Sequence, residues 1–320
     1  MYNSKEAYIG VDLGGTSIKC GAIEVAGNIL IDNKRPTESG ISAEHILGNI
    51  TASINDTRKV VEADGYKVKA VGIGSPGVID ITTGKVLGEA DNLSEWNGLN
   101  LAEAISNTVD LPVFVDNDAN LMGLGEFRFG GDYSDTGNIV FLTIGTGIGG
   151  AIFINGELYR GANFAAGELG GQIIQLEGET GFWEDFASTS AMVHTFRNEL
   201  ERLGVSSEGV DGKYIYRRYV DKNALAVRIF EEHTRRVGMG IATLVNIFNP
   251  EGVIVGGGIS ESGDEYFNLI RKSTSQYSMP ACFAGVKILP ARLGNKAGFM
   301  GAAHYAYLRI KKAPDLIIRG

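Results

Sequence analysis

Residues Tyr8–Val25 read YIGVDLGGTSIKCGAIEV. An apolar run ends at Asp12, passes through Gly14, Gly15 and Thr16, and resumes as a second apolar run from Ile18. Two β-rich stretches around a glycine pair spell a hairpin with a tight turn. Glycines at its tip leave backbone N–H groups uncovered, so an anion such as a phosphate can come close. Thr16 adds a hydroxyl and Lys19 a charge. Asp12, at a strand end, suits a magnesium ion held directly or through water. The same residues also make a plain hairpin turn.

Two further turns repeat the chemistry. Gly145-Thr146-Gly147-Ile148-Gly149-Gly150 follows the apolar run ending at Ile144, and Val255-Gly256-Gly257-Gly258-Ile259 precedes a helical stretch at Gly263–Ser273. Neither fits the P-loop or the dinucleotide fingerprint. Three such turns at strand ends point to a nucleotide cradle. GVDLGGTSIKCGAI is echoed by FLTIGTGIGGAIFI, which predicts two related α/β halves.

Around these turns, short Gly-bounded strands are predicted at Ala7–Val11, Ile18–Val25, Asn28–Ile31, Ala70–Ile73, Val113–Val115, Ile139–Ile144, Gly149–Ile154, Gly252–Val255 and Val286–Leu289. Helices are predicted from Ala43 to Asp64, capped by Ser42 and stopped by Gly65, and from Asn223 to Phe248. In the second, Phe230, Val237, Ile241, Leu244, Val245 and Phe248 form one buried stripe, and Pro250 forbids continuation. A last helix spans Ala297 to Ile310.

The stretch PVFVDNDANLMGLGE delivers Asp116-Asn117-Asp118 at a strand end, where ligands of α/β sheets bind. A carboxylate there can take the proton of a hydroxyl, and a neighbouring amide can orient it. Asp and Asn are also good helix caps. In GANFAAGELGGQI and GFWEDFAST, Glu168 and Glu184 can accept hydrogen bonds from sugar hydroxyls. They also read as a turn residue and a first-turn helix residue favoured by the dipole.

Composition narrows the classes. The chain has 320 residues, long enough for two domains, with 45 glycines spread over loops and only 7 prolines. Net charge is −9 without a Lys/Arg cluster, so sequence-independent nucleic-acid binding is not expected. Cys20 and Cys282 lie far apart in apolar contexts and read as buried thiols. The N-terminus has no signal-peptide core, and no apolar run approaches the ~20 residues of a membrane span, so a cytoplasmic protein is expected. His45, His194, His233 and His304 lack metal-ligand spacing and read as surface or helix residues. Trp96 reads as structural support.

Asp12-Leu13-Gly14-Gly15-Thr16, GIGSPGVID (Gly72–Asp80), DNDAN (Asp116–Asn120), GTGIGG, GANFAAGELG and VGGGIS occur in the order seen in the ROK family of sugar kinases and related repressors. The resemblance covers nearly the whole chain. It implies an α/β, two-lobe actin/hexokinase-like fold of ribonuclease-H-like topology that binds ATP between its lobes. On that pattern a small lobe spans 1–118, with the C-terminal helix (about 298–320) packing back on it, and a large lobe spans 119–297. Carried over, Asp118 resembles the catalytic base, with Asn117 on sugar hydroxyls, and Asp12 the magnesium-side carboxylate. Gly14, Gly15 and Thr16 with Lys19, and Gly145, Thr146 and Gly147, resemble the phosphate motifs. Gly256, Gly257 and Gly258 resemble the adenosine-side turn. Gly74, Asn92, Glu168 and Glu184 resemble sugar contacts.

The chain departs from the family at one place. Typical members carry Glu-[Ile/Leu]-Gly-His followed by a cysteine-rich loop that binds zinc. Here Gly171 stands at the His position and QLEGETGFWED replaces the loop, so no zinc is expected and Trp183 fills its space. The chain resembles a zinc-less branch that includes β-glucoside and some N-acetylmannosamine kinases. The first strand begins near residue 7, which leaves no room for the helix-turn-helix of the repressors. The resemblance implies ATP and magnesium as cofactors, a hexose (glucose, β-glucoside or N-acetylmannosamine) as substrate, no nucleic-acid or membrane partner, and a homodimer. A non-catalytic sugar sensor on the same scaffold is the alternative, and an actin-like or chaperone ATPase a more distant one.

Overall fold

The computed structural model describes residues 5–312, apart from Asp91, Asp132, Ser134, Asp135 and Glu177. The chain forms two compact units: Met1–Tyr133 with Arg160–Ala166 and Leu293–Gly320, and Ser134–Tyr159 with Gly167–Arg292.

Unit 1 begins with β1 (Lys5–Leu13), β2 (Ser17–Ile23) and β3 (Ile29–Pro36), an antiparallel meander. Helix α1 (Ala43–Ala63) follows, its first turn capped by the Ser42 side chain, which accepts from the His45 N–H. Next come β4 (Tyr66–Ser75), the hairpin β5 (Val78–Asp80) and β6 (Lys85–Gly88), α2 (Leu101–Val109), β7 (Val113–Asn117) and α3 (Asp118–Phe129). The five-stranded sheet has the order β3-β2-β1-β4-β7, with β4 parallel to both β1 and β7. Alternation in β1 and β2 loads one face with Ile9, Val11, Leu13 and Ile18, which pack with Ile46, Ile50 and Ile54 of α1.

Unit 2 repeats the plan. It contains β8 (Ile139–Ile144), β9 (Ile148–Ile154) and β10 (Glu157–Tyr159), then the hairpin β11 (Ile173–Leu176) and β12 (Glu179–Phe182). Helices α4 (Trp183–Ala187), α5 (Thr189–Arg202), α6 (Gly212–Val220) and α7 (Ala224–Phe248) lead to β13 (Gly252–Gly256), α8 (Asp264–Tyr277), α9 (Pro280–Phe283) and β14 (Lys287–Pro290). The sheet order β10-β9-β8-β13-β14 carries the same antiparallel meander and the same two parallel pairs as unit 1. Phe230, Val237, Ile241, Leu244 and Val245 of α7 are buried in the core of this unit, as the stripe predicts.

The closing helix α10 (Ala297–Lys312) belongs to unit 1, where it packs on α3, β1 and β4 through Phe299, Met300 and Ala303. Because α3 lies against α10, unit 1 runs on past residue 118 to Tyr133, and it resumes at Leu293, just ahead of residue 297. The last eight residues expected in the closing helix lie outside the described residues. Among the described residues, no helix is long and apolar enough to cross a membrane.

Candidate active site

Unit 1 gathers the ionisable chemistry at one end of its sheet. Asp12 and Lys19 are cross-strand partners on β1 and β2, and the Lys19 ammonium lies 3.1 Å from Asp12 Oδ2. Asp12 is buried, and that burial raises its pKa while Lys19 pulls it back. Gly298, in the first turn of α10, sits directly against this carboxylate: a Cβ there would stand 2.7 Å from Oδ2. The ammonium of Lys19 is therefore engaged with Asp12 in this structure.

The turn that follows is tied down from within. The Gly14 N–H donates to the Ser17 carbonyl at 3.1 Å, so this amide closes the turn, and Thr37, just past the end of β3, holds it by donating to the Gly14 and Thr16 carbonyls. Neither Gly14 nor Gly15 has a positive φ, so close approach rather than backbone conformation is what glycine offers here. Thr16 is exposed at the tip, and Asn92 lies beside it, its Nδ2 3.3 Å from where a Cβ on Gly15 would be.

At the end of β7 three adjacent polar residues take three different places. Asp116 is buried, and its Oδ2 receives a fork from Arg160, Nη2 at 2.6 Å and Nε at 2.8 Å. Its Oδ1 accepts from the Asn117 N–H at 2.8 Å. Asn117 caps α3, accepting from the Asn120 N–H, and its amide donates to the Gly77 carbonyl at 3.1 Å. Asp118, half-buried in the first turn of α3, accepts from the Ala119 N–H at 2.8 Å, and Gly74 lies against its Cα. Of the three, Asn117 is the one that serves as the helix cap. Beneath them, the fully buried Trp96 donates to Ser75 Oγ at 2.9 Å, in the support role read from the sequence.

Unit 2 presents its second hairpin turn differently. Glu184, in the first turn of α4, accepts from the Ile148 N–H at 3.0 Å, and a Cβ on Gly147 would come 2.5 Å from the same oxygen. The structure thus seats Glu184 against the Gly145-Thr146-Gly147 turn, which it braces. Beside this turn opens a cavity of about 940 Å³, lined by Gly145 and Thr146, by Gly258 and Ile259, and by His194, Arg197, Lys213, Tyr216 and Arg217 from α5 and α6. Gly257 has φ +93°, and a Cβ there would collide with the Ile144 carbonyl, so no other residue fits. The cavity joins two of the predicted glycine turns. Its α5 and α6 walls went unpredicted because those side chains are scattered over two separate stretches without a spacing pattern.

Glu168 is exposed and precedes the short turn Leu169–Gly171, where Gly171 has open space around it. The segment in place of the cysteine-rich loop is the β11–β12 hairpin. It is closed by Trp183 N–H on the Gln172 carbonyl at 2.7 Å and seated on α7 by the buried Trp183, whose Nε1 donates to the Arg236 carbonyl at 2.9 Å. Among the described residues no group of three His, Cys, Asp or Glu side chains is placed to hold a metal. A magnesium ion that arrives on phosphates needs only one or two carboxylates, and the buried Asp12 fits that demand.

Residues 8–308 match the ROK family. The chain belongs to that family. The glucokinase of Streptomyces coelicolor is 35% identical over 328 residues, covering 97% of this chain and 99% of its own. The crystal structure of a ROK family glucokinase from Streptomyces griseus in complex with glucose and AMPPNP has a TM-score of 0.80 at 34% identity, covering 94% of this chain and 99% of that one. A beta-glucoside kinase from Listeria monocytogenes is 30% identical and covers 92% of this chain and 95% of its own. The fold is the two-lobe actin/hexokinase-like one of this ROK kinase structure, and the duplicated sheet topology of units 1 and 2 is its signature.

Proposed function

We propose that this ROK-family protein transfers the γ-phosphoryl group of ATP to the 6-hydroxyl of a hexose, with Asp118 as the general base. That it is an ATP-dependent hexose kinase follows from the glucokinase relatives that match it from end to end. The observation that carries the finer reading is the division of labour at β7. Asp116 is committed to Arg160 and Asn117 to the α3 cap, while Asp118 stands half-buried in the first turn of α3 just past the end of β7, the place that the resemblance gives to the catalytic base. On the unit 1 side, Gly74 lies against the Asp118 Cα, and Gly74, Asn92 and Asn117 are assigned to the sugar; the assignment of Glu168 rests on the resemblance alone.

On the nucleotide side, the cavity of unit 2 receives the nucleoside. Its walls are apolar enough for a base, and its cations suit a polyanion. The Gly145–Gly147 turn, held rigid by Glu184, offers amides to phosphate. Asp12 would hold magnesium through water, Lys19 beside it would add a positive charge for the phosphates, and the ion when bound would neutralise charge on them. Asp118 takes the proton of the attacking hydroxyl, and the remaining contribution of the chain is positioning. The substrate is glucose or a hexose substituted near carbon one or two, and the assembly is a homodimer in the cytoplasm.

The test is a sugar panel with ATP and magnesium, read by ADP release, on wild type and Asp118→Asn. The nearly isosteric change should leave the fold intact and lower kcat by roughly 10²–10⁴-fold. Near-normal turnover in the variant would move the base elsewhere. Absence of sugar-dependent ADP release across the whole panel would favour a sugar sensor instead.

A further inference from the structure

Arg160 is not among the residues that the motifs single out, yet its guanidinium pairs with the buried Asp116 at 2.6 Å. Its guanidinium forks onto one oxygen of Asp116, a carboxylate only 1% exposed and two residues from Asp118. On its other side the guanidinium lies 5.5 Å from the Tyr305 ring of α10. Tyr305 is fixed in turn by Arg309, which donates to its hydroxyl at 2.8 Å and to the Ile81 carbonyl beside the β5–β6 hairpin at 2.7 Å. Arg160 therefore lies between Asp116 at the end of β7 and Tyr305 of the closing helix.

The backbone of Arg160 is constrained as well. The chain leaves unit 2 after Tyr159, and Arg160–Ala166 is part of unit 1 before the chain returns at Gly167. That excursion closes on itself, because the Ala166 N–H donates to the Arg160 carbonyl at 3.1 Å. Glu168 follows two residues later. One side chain thus ties this closed loop to the end of β7, where Asp116 leads into α3 and Asp118.

We propose that Arg160 is a positioning residue for the phosphoryl acceptor: through Asp116 it fixes Asn117 and Asp118. A bidentate fork sets direction as well as charge, which a lysine cannot do. A carboxylate this deeply buried also tolerates no loss of its partner without rearrangement. The inference rests on Asp118 being the base, and the two readings are tested by different variants.

The experiment measures kcat, KM for glucose, KM for ATP and Tm in Arg160→Lys, Arg160→Gln, Arg160→Gln/Asp116→Asn and Asp118→Asn. Residues that orient a reacting group through another typically cost about 10–100-fold when lost. Arg160→Gln should lower kcat in that range and raise KM for glucose, with KM for ATP within about twofold of wild type. Arg160→Lys keeps the charge without the fork, so it should fold normally and retain a smaller form of the same defect. The double variant removes the buried charge together with its partner. It should recover Tm while kcat stays low.

Wild-type kinetics in Arg160→Gln would overturn the proposal. So would equal rises in KM for both substrates, or recovery of kcat with Tm in the double variant, since either marks a purely structural pair. Should Arg160→Gln fail to fold, the lysine and double variants decide by the same criteria. Asp118→Asn alone decides the base: normal turnover there with a defect at Arg160 would leave the positioning role and relocate the acid–base chemistry.

Discussion

Units 1 and 2 share a sheet and differ in what they place at its end. Asp12 pairs with Lys19 and with Gly74 in unit 1, and the matching positions in unit 2 are Thr143, Gly149 and Gly256. Gly74 pairs with Asp116, whereas in unit 2 the strand has already passed Pro290 and presents Ala291. One backbone plan has thus been loaded twice, with charges on one copy and with small or neutral residues on the other. Carboxylates and ammonium groups suit a hydroxyl nucleophile and a metal-bearing phosphate. Bare glycines beside a cavity suit a nucleotide that is recognised by shape and by amides.

The largest expected effect comes from erasing that difference. Asp12→Asn with Lys19→Met turns the charged tip of unit 1 into a neutral one like that of unit 2. Replacing both partners of a buried pair is often close to neutral for stability, so Tm should stay near wild type. Turnover should fall by roughly 10²-fold or more, the scale for losing a group aimed at developing charge. A doubly neutral enzyme that still phosphorylates sugar at full rate would show that the tips are interchangeable.

The second contrast sets one glycine of each unit against the other. Gly257→Ala pushes a Cβ into the Ile144 carbonyl from a residue at φ +93°, which should cost about 3 kcal/mol or more of stability. Gly15→Val meets only the mobile end of Asn92, at 3.3 Å, from an ordinary backbone conformation. It should leave Tm within a few degrees and weaken ATP binding by roughly tenfold, the worth of one lost bond to a charged group. Calorimetry and thermal melts on both variants separate the two. Unchanged nucleotide affinity in Gly15→Val would reduce the first hairpin to a plain turn.

These contrasts also show what was legible beforehand. The long apolar strands and α1, α7 and α10 were readable because they carry a strong period and a cap or breaker. The echo between the two hairpins correctly announced the repeated topology. Short elements such as β5, β6 and the β11–β12 hairpin have too few residues for a period to show. The strand ends that carry the candidate residues were legible because glycine and Asp clusters stand out after apolar runs. Arg160, the role of Glu184 under the second turn, and the His194 and Tyr216 side of the cavity were not, because each depends on contacts between residues distant in sequence. The pairing of Lys19 with Asp12 across the hairpin was equally hidden, since it depends on the strand register.

A smaller effect concerns one buried histidine in each unit. Burial is the main cause that holds His233 down at about 3 and His304 at about 4, against an ordinary 6.5. In the unfolded chain both imidazoles take up a proton near pH 6.5, and in the fold they do not. Stability therefore falls as pH drops below about 6.5, by up to about 1.4 kcal/mol per pH unit for each group. Tm should decline between pH 7 and pH 5, before most carboxylates titrate. His233→Phe and His304→Phe should each flatten that decline. Parallel slopes in wild type and both variants would mean that neither ring is buried neutral.

The smallest expected effect tests the place where the chain departs from its family. Gly171 lies one short turn beyond Glu168, and a Cβ placed there meets nothing within 4 Å. The segment Gln172–Glu184 contains neither cysteine nor histidine, so metal analysis of the purified protein should find no stoichiometric zinc. The open space should let the enzyme accept a methyl β-glucoside or N-acetylmannosamine alongside glucose. Gly171→His fills that space from an exposed position, so Tm should move by no more than about 0.5 kcal/mol equivalent. The substituted sugars should lose roughly tenfold in kcat/KM relative to glucose, the usual worth of a modest steric change in a pocket. A wild-type enzyme that already rejects every substituted hexose, or a Gly171→His variant with unaltered preference, would place the determinant of sugar choice away from Gly171.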